Sequence, residues 1–173
     1  MTQLVPHPDF ATGAVTRIEV DASRPGPTTL ALTYVVTGDI AALALPPPAP
    51  PARTDELWRH TCLEVFIRPE GGEAYLEFNL APSTRWAAYA FSGYREGMAP
   101  ADVPAPRIVV ETTATSIRLQ ATLHDIPRGP CRLALTAVVE EASGRKSYWA
   151  LAHPTGRPDF HHAAGFVLDS PPR

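Results

Sequence analysis

The chain has few cysteines, little net charge and no long apolar run. Cys62 and Cys131 are the two cysteines in 173 residues, and neither has a second Cys or a His at the close spacing that zinc sites use. Both lie in apolar, strand-like stretches and read as buried thiols; a disulfide between them would require the fold to bring their strands together. The formal net charge is −3, and without a run of Lys and Arg nothing could track a nucleic-acid backbone. No stretch approaches the roughly 20 apolar residues of a membrane-spanning helix. Pro6, His7, Pro8 and Asp9 stand where a secretory signal needs an unbroken apolar run, which gives a cytoplasmic expectation. Gly-x-Ser-x-Gly, phosphate-cradling glycine loops, dinucleotide fingerprints and internal repeats are also missing.

Proline, in contrast, is plentiful. Twenty prolines are more than twice the average usage of about 5%, and they leave long helices little room. Between them lie short runs of alternating apolar and polar residues, the period of half-buried strands. In Ser116 to Leu123, Ile117, Leu119, Ala121 and Leu123 take one face while Arg118 and Gln120 take the other. Further strands are expected at 15–20, 28–36, 61–67, 74–80, 86–91, 107–111, 132–140 and 147–152. Nine strands joined by turns predict an all-β, antiparallel sandwich or barrel. The Pro46-Pro47-Pro48-Ala49-Pro50-Pro51 tract reads as a stiff surface loop rather than a linker, because only about 45 residues precede it, near the lower limit for an independent core. One domain over residues 1–173 is the expectation.

Two strands break the simple pattern. Leu63, Val65 and Ile67 form one apolar face, while His60, Cys62, Glu64 and Phe66 form the other. Leu76, Phe78 and Leu80 likewise oppose Tyr75, Glu77 and Asn79. If Glu70-Gly71-Gly72-Glu73 turns a hairpin, then His60, Glu64, Tyr75, Glu77 and Asn79 share one sheet surface. Such a surface is either the wet face of an antiparallel sheet or a site for a ligand rich in hydroxyls, on which carboxylates and amides act as hydrogen-bonding groups and rings pack on apolar ring faces.

Trp58, Trp86 and Trp149 each admit two readings, a core plug or a binding platform. Arg95 could fork onto a carboxylate or onto ligand hydroxyls. The segment from His153-Pro154 to Arg157-Pro158-Asp159-Phe160-His161-His162 is dense in ligand-binding groups, and His153, Asp159 and His161 form a conceivable metal cluster, without the regular spacing of a metal motif. No metal site is expected. Glycoside hydrolysis is disfavoured because carboxylates on an open sheet lack the enclosure that raises the pKa of one acid; the chain is expected not to be an enzyme.

From about residue 53 onward the sequence resembles DOMON-like domains, β-sandwiches of jelly-roll type similar to family 9 carbohydrate-binding modules. The resemblance rests on Asp55-Glu56-Leu57-Trp58-Arg59-His60-Thr61-Cys62-Leu63-Glu64-Val65-Phe66, on Tyr75-Leu76-Glu77-Phe78-Asn79, and on Ser147 to Pro154 with Pro158 to His162. It implies a sugar site in which Trp58 stacks and Glu64, six residues on, accepts from hydroxyls, with Arg85 or Arg95 as the basic partner. In place of a second stacking Trp the sequence offers His153, Phe160 and His161. Other members of the wider superfamily bind haem, and Met98, His153 and His161 are the axial candidates that this resemblance implies. The expected function is a non-catalytic, carbohydrate-binding module whose ligand site draws on Trp58, His60, Glu64, Glu77, Asn79, Arg85, Trp86, Arg95, Trp149, His153 and His161. Haem binding and protein interaction are the alternatives.

Overall fold

The computed structural model describes residues 1–10 and 13–171. In chain order its strands are β1 (Thr2–Gln3), β2 (Val5–Pro6), β3 (Val15–Gly26), β4 (Thr29–Gly38), β5 (Cys62–Pro69), β6 (Tyr75–Leu80), β7 (Trp86–Phe91), β8 (Ala99–Pro100), β9 (Arg107–Thr112), β10 (Ser116–Leu123), β11 (Cys131–Glu140), β12 (Lys146–Ala150) and β13 (Leu168–Asp169). One sheet has the order β1-β3-β4-β10-β9; the other runs β2-β12-β11-β5-β6-β7-β8, with β13 also paired to β11. The fold is an antiparallel β-sandwich. The nine alternating runs of the sequence are its nine long strands, and the four two-residue pairings carried no period long enough to read. The only helical elements among the described residues are three 3-10 turns, each of three residues.

Each sheet gives one face to a shared core. Leu30, Leu32, Tyr34 and Val36 of β4 and Ile117, Leu119, Ala121 and Leu123 of β10 meet Leu63, Val65 and Ile67 of β5, Phe78 and Leu80 of β6, and Leu133, Leu135 and Ala137 of β11. Tyr34 also carries a polar tie across the core, its hydroxyl donating to the Glu64 carbonyl at 2.7 Å. The proline tract joins β4 of one sheet to β5 of the other. It is fastened to the β6–β7 turn, where Ala49 donates to the Ser83 carbonyl and accepts from the Thr84 hydroxyl. β4, before the tract, pairs along its length with β10, after it.

Strand register corrects the placing of two tryptophans in the site and bears out the cysteines as buried thiols. Trp86 stands opposite Leu80 and Trp149 opposite Ala137, so both project into the core, where they are 6% and 1% exposed. The cysteines lie at opposite ends of one ladder, Cys62 facing Val138 and Cys131 facing Pro69. Seven residues of strand separate them, about 23 Å, far beyond the roughly 7 Å that a disulfide tolerates. Both are buried free thiols.

Candidate functional site

The outer face of the larger sheet is not a wet surface. Six consecutive residues of β5, Cys62 to Ile67, are buried, which happens only when both faces of a strand are covered. Register builds the floor. Thr136, Glu64, Asn79 and Ala87 form one row across β11, β5, β6 and β7; Ala134, Phe66, Glu77 and Tyr89 form the next. Glu64 and Glu77 are thus diagonal neighbours on paired strands, their side chains rising from the same face. Three segments cover this floor: the 3-10 turn Leu57–Arg59, the turn that follows β7, and the chain from Pro158 to Phe166. Their packing leaves a cavity of about 310 Å³, at the small end of ligand sites.

Trp58, Phe66, Phe91, Tyr148 and Phe160 provide its rings, Glu64, Glu77, Arg95 and His161 its polar groups, and Met98, Val138 and Pro158 complete the lining. Trp58 is half-buried and meets Tyr89 edge to face at 5.7 Å. The turn residue before it, Glu56, has φ of 62°, and Arg95 has φ of 57°; two non-glycine residues are held in left-handed backbone beside the cavity, each at a cost of about 1 kcal/mol. Gly97 closes the Arg95 turn with φ of +64°, and a Cβ there would stand 2.6 Å from the Ser92 hydroxyl.

The polar groups form a connected set. Asn79 Nδ2 donates to Glu77 Oε1 at 2.7 Å, and the Thr136 hydroxyl donates to Glu64 Oε2 at 3.1 Å. Tyr75 accepts from the Arg95 amide and bonds Nδ1 of His161 at 2.8 Å. With the hydroxyl donating there, the neutral ring carries its proton on Nε2, which lies 3.8 Å from Glu77 Oε2. Arg95 is spent on Asp159 at 2.8 Å, to which Tyr94 also donates. Glu64 Oε1 is buried and has no partner. Burial pushes the Glu77 carboxyl up to about 7 against the Asn79 bond and the Arg95 charge. Burial and then the neighbouring Glu77 push Glu64 up as well, against the Thr136 bond. Burial also drives His161 down to about 4, helped by Arg95. Asp159 would rise on burial, but its bonds from Tyr94 and Arg95 hold it below the usual range. The premise that these carboxyls lack enclosure is therefore corrected: cover on three sides raises both.

Trp58, Glu64, Glu77, Arg95 and His161 are brought together, with Asn79 fully buried beneath Glu77. Three other candidates, besides the two core tryptophans, lie elsewhere. His60 is exposed and paired with Glu140 at 2.6 Å, because the chain leaves strand geometry at the 3-10 turn before it. Arg85 caps the distal β6–β7 turn, bonding the Thr54 hydroxyl. His153 donates toward the Val5 carbonyl and packs edge to face on His7 at 4.8 Å. Met98 is half exposed at the rim. Of the haem candidates, Met98 and His161 line one cavity while His153 lies outside it, and both His161 nitrogens face Tyr75 and Glu77, so no imidazole there is free to ligate an iron. Among the described residues no group of three or more His, Cys, Asp or Glu is placed to hold a metal ion, and no helix is long and apolar enough to cross a membrane.

Sequence reasoning missed Phe91 and Tyr148 as walls and Thr136 as a partner of Glu64, while Phe160, offered in place of a second stacking Trp, does wall the cavity. The alternation of 147–150 and 132–140 carried a signal for Tyr148 and Thr136, since each stands out of phase with the core residues beside it. Nothing local foretold that the 158–166 segment folds over the sheet.

Fold and cavity together define a β-sandwich with a covered, ring-walled site on one outer face. No family model matches the chain, and no curated protein does. Solved structures do. The chain is similar to a candidate carbohydrate-binding protein from Bacteroides uniformis, with a TM-score of 0.71 and 16% identity over 95% of this chain and 83% of that one. It is also similar to a family 9 carbohydrate-binding module from Caldicellulosiruptor kristjanssonii solved with cellotriose (TM-score 0.58, 11% identity, 84% and 70% covered) and to one solved with glucose (0.50, 10%, 84% and 71%). At these identities the likeness establishes the fold.

Proposed function

We propose that the chain is a non-catalytic, DOMON-like module that binds a saccharide or similar polar metabolite in the cavity over β5 and β6. The observation that supports this most is the pairing of ring walls with an unpartnered buried acceptor. Trp58, Phe91, Tyr148 and Phe160 offer apolar faces, while Glu64 Oε1, with no partner in the protein, can accept a ligand hydroxyl. Leaving such an acceptor dry costs about 1–3 kcal/mol, which a ligand hydroxyl would recover. The fold likeness to modules solved with cellotriose and glucose supports the same class of ligand. Catalysis is disfavoured by direction: Glu64 and Glu77 rise together from one floor, whereas glycoside hydrolysis places its two carboxyls on either side of the scissile bond.

Trp58 carries the test. Trp86 and Trp149 are sealed in the core, so a fluorescence change on adding sugar reports Trp58. Mono- and disaccharides are expected to raise the melting temperature of the protein. Trp58→Ala, half-buried and outside the main core, is expected to fold and to weaken that binding at least tenfold, since stacking area on the order of a buried aromatic is lost. Undiminished binding by folded Trp58→Ala would remove the cavity as the site. Turnover of an aryl glycoside that Glu64→Gln abolishes would overturn the non-catalytic half of the reading.

A further inference from the structure

The cavity has more acid than base. Its carboxyls are Glu64 and Glu77 on the floor, with Asp159 at the margin; its cations are Arg95 and, when protonated, His161. Arg95 is already bound to Asp159, whose other oxygen accepts from the Tyr94 hydroxyl, and its side chain is half exposed. The two floor carboxyls are therefore left without a cation. Neutral donors reach two of their four oxygens, Thr136 at Glu64 Oε2 and Asn79 at Glu77 Oε1, while His161 Nε2 stands 3.8 Å from Glu77 Oε2, too far for a hydrogen bond. The fourth, Glu64 Oε1, is fully buried and bare. The other titratable groups against Glu64 are the Cys62 thiol and the Tyr34 hydroxyl, both pushed up by burial and by Glu64 itself, so they add no positive charge. Around this acid pair stand Trp58, Phe66, Phe91, Tyr148 and Phe160, and the faces of such rings attract cations.

We infer that the ligand carries a primary ammonium, and that the cavity selects an amino sugar over its neutral counterpart by seating that ammonium between Glu64 and Glu77. The inference rests on the saccharide reading and names the class of sugar. An ammonium has three N–H donors and no acceptor; between two carboxyls that rise as diagonal neighbours from one cavity floor it can donate to both, which one hydroxyl proton cannot. Its charge changes the protonation of the floor. Burial raises both acids, Glu77 to about 7, so a carboxyl that is protonated when it receives an ammonium gives up its proton. The balance is simple: ammonium and carboxylic acid enter, ammonium–carboxylate forms, and one proton leaves to the buffer. An acetylated nitrogen brings neither the charge nor the donors.

Calorimetric titration of the whole chain at pH 6.5 tests this with glucosamine, glucose, N-acetylglucosamine and cyclohexylamine, each in two buffers of different ionisation enthalpy. The expected result is glucosamine bound at least tenfold more tightly than glucose or N-acetylglucosamine, with a heat that varies between buffers as release of up to one proton requires. Glu64→Gln is expected to weaken glucosamine at least tenfold more than it weakens glucose, erasing that preference. The buffer comparison uses the unaltered protein, so it holds whether or not the variant folds. Glucose binding equal to or tighter than glucosamine, with no proton released, would overturn the inference and leave the saccharide reading standing. Tight cyclohexylamine binding with no response to any sugar would sustain an ammonium site and sink the saccharide reading. Silence from all four would overturn both.

Discussion

A tryptophan beside a strand end either fills the core or faces outward, and its chemistry is the same in both places. For Trp86 and Trp149 the deciding fact is parity: one faces Leu80 and the other Ala137, both core residues. Parity was present in the sequence, since Ser147 and Trp149 alternate with Tyr148 and Ala150, yet which phase faces inward depends on the partner strand. Trp58 lies on a 3-10 turn, where period-two reasoning does not apply. The difference is measurable. Trp149→Ala is expected to cost about 3–5 kcal/mol of unfolding free energy, the usual range for a buried aromatic. Trp86→Phe keeps an aromatic but loses the ring under the Arg53 guanidinium, 4.4 Å away, and is expected to cost about 1–2 kcal/mol. Neither variant, once folded, is expected to change ligand affinity. Denaturant melts read the stability, and titration at a temperature where both are folded reads the affinity; a binding defect in Trp86→Phe would return that residue to the site.

Hairpins were the legible elements and lids were not. The β5–β6 register followed from the alternation on either side of Gly71-Gly72, and it set Glu64, Glu77 and Asn79 on one face. The cover has no such periodicity. Residues 158–166 hold their place through Phe166 against Phe66 and Tyr75, and through His161 against Phe66 and Phe91, contacts between segments far apart in sequence. Only the structure shows that this segment turns an exposed face into an enclosed one. The His161 imidazole reports that enclosure. Its folded pKa is lowered to about 4 from about 6.5 in the unfolded chain, so the unfolded state binds the extra proton first. Stability from this group is therefore full above about pH 6.5 and is lost as pH falls toward 4, at about 1.4 kcal/mol per unit. His161→Gln retains an amide for hydrogen bonding and cannot titrate. Relative to the parent it is expected to gain stability as pH drops through that window, read as converging or crossing denaturant midpoints. A constant difference between the two proteins from pH 7 to 4.5 would mean that the ring is open to water and the lid does not seal.

Across the whole molecule the two sheets have different duties. The smaller one shows a polar outer face, with Arg17, Asp21, Arg118 and Gln120 exposed, and contributes only its inner face to the core. The larger one is buried on both sides through its centre and carries the two acids. That placement has a thermodynamic consequence opposite in sign to the one at His161. Glu77 titrates at about 7 in the fold and near 4.3 when unfolded, so between these values the folded state holds a proton that the unfolded state has released. Its contribution is most favourable below about pH 4.3 and falls by about 1.4 kcal/mol per unit until about pH 7; Glu64, raised in the same direction, adds a loss of the same sign. Glu77→Gln can still accept from Asn79 and never ionises. At pH 8 it is expected to be more stable than the parent, and the advantage should shrink steadily as pH falls to 5, measured by urea melts at intervals of half a unit. A difference between the two proteins that stays constant from pH 5 to pH 8 would place the carboxylate in water and the acid floor outside the protein interior. If the variant is more stable yet binds the ligand poorly, the two buried acids are held at a cost to the fold, and the site rather than the core is the reason they are there.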